Sequence, residues 1–131
     1  MKALNHIILF SLCVMIWLIF FSLGLTNNYY QSWNLIQHLI NAADVILLMW
    51  PLVLIIIKNI SNGRYFICSL WFAFYASIPF MILDFIYLHI IKQYDLSYLI
   101  TYWYLTIFYF IVWVEMPLIG LYLQKRKKIA E

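Results

Sequence analysis

Residues 3–25 read ALNHIILFSLCVMIWLIFFSLGL, and this stretch decides the class of fold. No Asp, Glu, Lys or Arg occurs between Lys2 and Asp44, and the run exceeds the ~20 apolar residues that cross a ~30 Å hydrocarbon core. Read outward from there, the whole chain is of one kind: 67% of its 131 residues are apolar, 10% are charged and the mean hydropathy is +0.93. Soluble domains carry ~25% charged residues, so the solvent of this fold is lipid. The same composition excludes intrinsic disorder, a disulfide scaffold and a nucleic-acid module, because there is no polar tract, only two cysteines and no basic face along the chain. A cleaved secretory signal is the competing reading of the first run, with Lys2 ahead of it and Ser22 and Gly24 at the −3 and −1 positions.

Polar, charged and turn-forming residues divide the remainder into further spans. Thr26 to Ser32 is a short loop carrying Tyr29 and Tyr30, with Trp33 just after it. Lys58 to Arg64 contains an Asn-Gly pair, and Lys92 to Ser97 is the third break. The expected spans are about 4–25, 34–57, 65–91 and 98–123, forming a single transmembrane domain over 1–131. Short loops impose antiparallel neighbours, so the expectation is an all-α, integral membrane up-down four-helix bundle. The apolar runs are continuous and do not alternate, which excludes a transmembrane β-barrel. Seven of the eight positive residues fall on one side, Lys92 alone on the other. By the positive-inside rule both termini then face the cytoplasm, in a plasma or inner membrane. The tail Lys125 to Lys128 reads as an orientation signal, with attraction to anionic lipid as the alternative.

Three acids lie inside these spans: Asp44 on the second helix, Asp84 on the third and Glu115 on the fourth. Each costs roughly 2.5–3.5 kcal/mol at a helix centre, and no Lys or Arg lies within the spans to neutralise it. At 1.5 Å per residue, Asp84 lies roughly 10 Å from the outer end, Asp44 roughly 15 Å and Glu115 roughly 25 Å. If all point inward they form steps that a proton or cation could use; hydrogen-bonded glue between helices is the bland alternative. On the second span Asn34, Gln37, His38, Asn41 and Asp44 follow helical steps and draw one polar stripe. Lipid cannot satisfy such a stripe, so it is expected to line the bundle interior or another subunit. Asp84 is near the depth of His38, which makes a His38 to Asp84 pair the first candidate for the core of a site. Tyr98, Tyr102, Tyr109 and Trp113 form an aromatic stripe on the fourth span that reads as packing. Pro51, Pro79 and Pro117 place one proline in each acid-bearing helix.

No zinc, thiol-redox or phosphate-loop motif occurs. Cys13 and Cys68 differ in depth by about 10 Å, which argues against a disulfide. No cofactor is expected, haem between His38 and His89 being the option weighed against that. In span number the chain is similar to small multidrug transporters, whose essential first-helix carboxylate is missing here. The sterol isomerase and sigma-2 receptor group also combines membrane acids with a basic tail, but its first-helix acid and long first loop are absent. Bacteriocin immunity proteins resemble the chain in composition alone. It is assigned to none of these families. The functional expectation is a polar intramembrane site, built from His38, Asn41, Asp44, Asp84 and Glu115, that binds or passes a proton, a cation or a small amphipathic ligand. The alternatives are a lipid- or sterol-modifying enzyme using acid/base chemistry, and a non-catalytic accessory or immunity-type subunit. Expected partners are membrane lipids and either further copies of the chain or a larger membrane protein, with no nucleic acid.

Overall fold

The computed structural model describes residues 2–130, which form helices and turns with no strand among the described residues. Helix α1 covers Ala3–Thr26, α2 Leu35–Ile60, α3 Tyr65–Phe85, α4 the single turn Tyr98–Thr101, and α5 Trp103–Ala130. α3 runs on into a π-helical stretch, Ile86–Ile91. With that extension, α1, α2, α3 and α5 are four helices long and apolar enough to cross a membrane. The expected fourth span is divided: Tyr102 leaves helical geometry (φ −100°, ψ 49°), so Tyr98–Thr101 is a separate turn and the long helix starts at Trp103. Backbone amides and carbonyls are paired within the helices, as a membrane-crossing segment requires. At the start of α2, Asn34 and Gln37 satisfy each other's backbone amides in a capping box, both bonds 2.9 Å long.

Side-chain contacts fix the direction of each helix. Along α1 and α3, His6 meets Tyr75 and Trp17 meets Asp84, so the two helices run in parallel. Between α3 and α5, Asp84 meets Tyr109 and Ser77 meets Trp113, which makes them antiparallel. Asn5 at the start of α1 donates to the Ile60 carbonyl at the end of α2. This is up-down connectivity, with α3 and α5 as the central pair.

Gly120 explains how that pair approaches so closely. A Cβ there would lie 2.1 Å from Ser69 Oγ and 3.0 Å from the Phe66 Cα, so only glycine fits the crossing. Phe72, Ala73, Ala76, Val112, Met116 and Ile119 belong to the buried core that α3 and α5 share. α2 is peripheral and contributes only Val53 and Ile57 to the fully buried core. Large apolar side chains cover the outside, Leu47, Leu48 and Phe110 each being more than 70% exposed. Lys127 lies against the Gly63 turn, which brings the basic tail to the same end as Lys58 and Arg64. At the opposite end Tyr29, Leu88, Tyr98 and Tyr102 form a second, aromatic core.

Candidate functional site

The site is built around Asp84, the one charged side chain buried among the described residues, at 3% exposure. Its Oδ1 accepts hydrogen bonds from Trp17 Nε1 at 3.0 Å and from the Tyr29 hydroxyl at 2.5 Å, and its Oδ2 accepts one from the Tyr109 hydroxyl. Three donors therefore converge from α1, from the first loop and from α5. Hydrogen bonds onto a carboxylate are the strong kind, and together they supply the partners that a buried acid needs. The same face of α3 carries Ser77, whose hydroxyl accepts from Trp113 Nε1 at 2.8 Å. The aromatic stripe of the fourth span is thus partly a row of donors aimed at α3. The π-helical stretch begins two residues after Asp84, a type of distortion that recurs at functional sites.

The loop delivers Tyr29 at a conformational cost. Asn28, Tyr29 and Tyr30 all have positive φ (49°, 55° and 65°), and left-handed geometry costs a residue other than glycine roughly 1–2 kcal/mol. Several contacts hold the run in place. The Tyr29 hydroxyl is bound to Asp84, the Tyr29 carbonyl accepts from the Tyr104 hydroxyl, and the Tyr30 hydroxyl donates to the Phe20 carbonyl at 2.6 Å. Gly24 leaves room for the fold-back, since a Cβ there would lie 3.1 Å from the Tyr29 ring and 3.2 Å from that of Tyr30. Burial first, and then the Asp84 charge, push the Tyr30 hydroxyl up to about 12 and raise that of Tyr29 as well. Both phenols are therefore protonated donors at neutral pH. Strain that the surroundings over-determine in this way is a pointer to function.

Tyr104 connects this network to an open cleft. Its ring stacks on His38 at 4.4 Å between centroids, and His38 also lies edge-on to Trp103 at 5.5 Å and tilted to Trp33 at 5.7 Å. The cleft, about 600 Å³, is lined by these four residues with Gln31, Leu35 and Thr101. It lies at the end opposite the basic tail, where the first loop and the α4–α5 junction face one another.

The five expected site residues do not assemble into one centre. The expected His38 to Asp84 pair is replaced: Asp84 takes its partners from Trp17, Tyr29 and Tyr109, and His38 stacks on Tyr104. The two are linked only indirectly, through Tyr104 and Tyr29. The polar stripe of α2 does not turn wholly inward, because His38 and Asn41 are partly buried while Asn34, Gln37 and Asp44 are exposed. Asn34 and Gln37 have a local reason, the capping box. Glu115 lies apart, half-buried between α2 and α5. The three acids thus occupy three environments and not one continuous staircase. His89 has neighbours of its own: its Nδ1 is 2.7 Å from the Tyr94 carbonyl and its ring leans on Phe85. No cluster of three or more His, Cys, Asp or Glu residues able to hold a metal occurs among the described residues.

Sequence reasoning missed Trp17, Tyr29 and Tyr109 as partners of Asp84. The one available signal was three long-range donor types lying near the depth of an acid that had no base to neutralise it. Compared with protein-family models, curated proteins and solved structures, the chain matches none.

Proposed function

We propose that this chain is a small multi-pass membrane protein, with both termini on the cytoplasmic side, that binds a small amphipathic molecule with a cationic head in the cleft of Trp33, His38, Trp103 and Tyr104. One observation carries the reading: the cleft wall is tied to the buried acid, since Tyr104 both stacks on His38 and donates to the carbonyl of Tyr29, whose hydroxyl is bound to Asp84. Several aromatic faces around one opening attract a cation while accepting an apolar body. Behind that wall Asp84 holds the Tyr29 hydroxyl out of contact with competing water. Its role is to hold the strained loop, and therefore Tyr104 and the cleft, in the binding geometry.

The test is a titration of purified protein in phosphatidylcholine nanodiscs with a spin-labelled trimethylammonium amphiphile, read as the part of the tryptophan quenching that Trp33→Phe and Trp103→Phe remove. Quenching should saturate, and Trp103→Ala should weaken binding about tenfold, between the worth of an exposed and of a desolvated cation–π contact. Quenching that rises linearly with probe, as bulk partitioning gives, would sink the proposal. Asp44 favours a second reading, in which a polar face of α2 meets another copy of the chain or a larger membrane protein. It is an acid within a long apolar helix, and it stands exposed on that helix's surface.

A further inference from the structure

On the far side of α5 from Asp84's partners, α2 and α5 leave a groove of about 420 Å³. Ile46 and Trp50 form one wall; Phe110, Ile111 and Leu118 form the other. Glu115 is the one ionisable side chain along these walls. Its Oε1 is buried without a hydrogen-bond partner, the sole such side-chain atom among the described residues. An orphaned buried acceptor costs free energy comparable to a lost hydrogen bond, and lipid tails offer no donor. Glu115 lies ~18 Å along α5 from Trp103, too deep for a headgroup to reach it without the rest of its molecule following.

From the groove and its orphaned oxygen, we infer a second binding site, for an amphiphile that carries one hydrogen-bond donor, a hydroxyl or an ammonium, on an apolar body. The walls match the body, and Glu115 Oε1, covered in the unliganded chain, accepts from the head once its side chain turns into the groove. The volume falls in the range of small-molecule pockets. Neither the strained loop nor the outer cleft contributes to this site, so it stands independently of the cleft reading.

Photolabelling tests it, with the protein in phosphatidylcholine nanodiscs and three diazirine probes of equal length: a long-chain primary alcohol, the matching amine, and the parent hydrocarbon with no head. Peptide mass spectrometry should find saturable labelling of segments 46–50 and 107–118 by the alcohol, the amine or both. Labelling should fall about fivefold in Glu115→Leu, the worth of one intramembrane hydrogen bond. Glu115→Gln separates the two heads: its amide oxygen keeps the alcohol and its lack of charge loses the ammonium. Within the wild-type protein alone, unlabelled long-chain alcohol or amine should compete where the alkane does not. Equal competition by the alkane, or labelling by both headed probes that never saturates, would overturn the site. The Trp33- and Trp103-dependent part of spin-probe quenching, measured in a Trp50→Phe background, reads the outer cleft separately, so failure of one site is not mistaken for failure of the other.

Discussion

At Asp84 the question is what three donors gain from one carboxylate. Replacing it by Asn keeps the shape; with the amide oxygen in the Oδ1 position it still accepts from Trp17 and Tyr29, and the amide nitrogen donates to a Tyr109 hydroxyl rotated to accept. Asp84→Asn should therefore fold, with a loss of about 1–2 kcal/mol. Asp84→Leu strands Trp17, Tyr29 and Tyr109 without an acceptor, at roughly 1–3 kcal/mol each, and should cost at least about 3 kcal/mol. Thermal midpoints in one detergent decide it, and a Leu variant as stable as wild type would mean that the converging donors contribute nothing. The acid itself was legible in the sequence, because no lipid-facing position tolerates it cheaply. Its partners were not. Tyr29 reaches it through three consecutive left-handed residues, Asn28 to Tyr30, none of them a glycine to mark the turn. Trp17 belongs to a helix so uniformly apolar that no polar periodicity marks its inward face.

At the scale of elements, α2 separates what a pattern can say from what packing decides. The stripe Asn34, Gln37, His38, Asn41 and Asp44 is real as a spacing, but its members serve different ends: a cap at Asn34 and Gln37, a cleft wall at His38, and an exposed acid at Asp44. Helical spacing shows that residues share a face, whereas the neighbour of that face depends on α5 and on Gly120, which draws α3 and α5 together and leaves α2 at the edge. If the single chain is the functional unit, Asp44 contributes only a cost. Asp44→Leu should then leave the thermal midpoint unchanged or raise it, relieving up to roughly 2.5–3.5 kcal/mol of insertion penalty. Light scattering on the same samples gives the counter-outcome: a wild-type assembly whose mass falls in Asp44→Leu would place a partner on this face and favour the second reading.

For the whole molecule, the helix number and the alternation of direction were legible because each span is longer than a bilayer needs and each loop too short to do anything but reverse the chain. The structure puts Lys58, Arg64 and Lys127 at one end and the aromatic cap of Tyr29, Tyr98 and Tyr102 at the other. On the proposed orientation the basic end faces the cytoplasm, since translocating Lys and Arg in short loops is disfavoured. Cysteine labelling checks this with three conservative exposed positions, Ser32 in the first loop, Ser97 before α4, and Asn59 in the last turn of α2. Cys13 and Cys68 are buried and free, and both are replaced first to remove background. A membrane-impermeant maleimide added to intact cells should modify Ser32→Cys and Ser97→Cys, and should reach Asn59→Cys only after permeabilisation. The reverse pattern would invert the protein and put its aromatic cleft inside the cell. Labelling of all three positions from one side would contradict the crossings themselves, because Ser32 and Asn59 are separated by the full length of α2, ~39 Å at 1.5 Å per residue, more than the thickness of the hydrocarbon core.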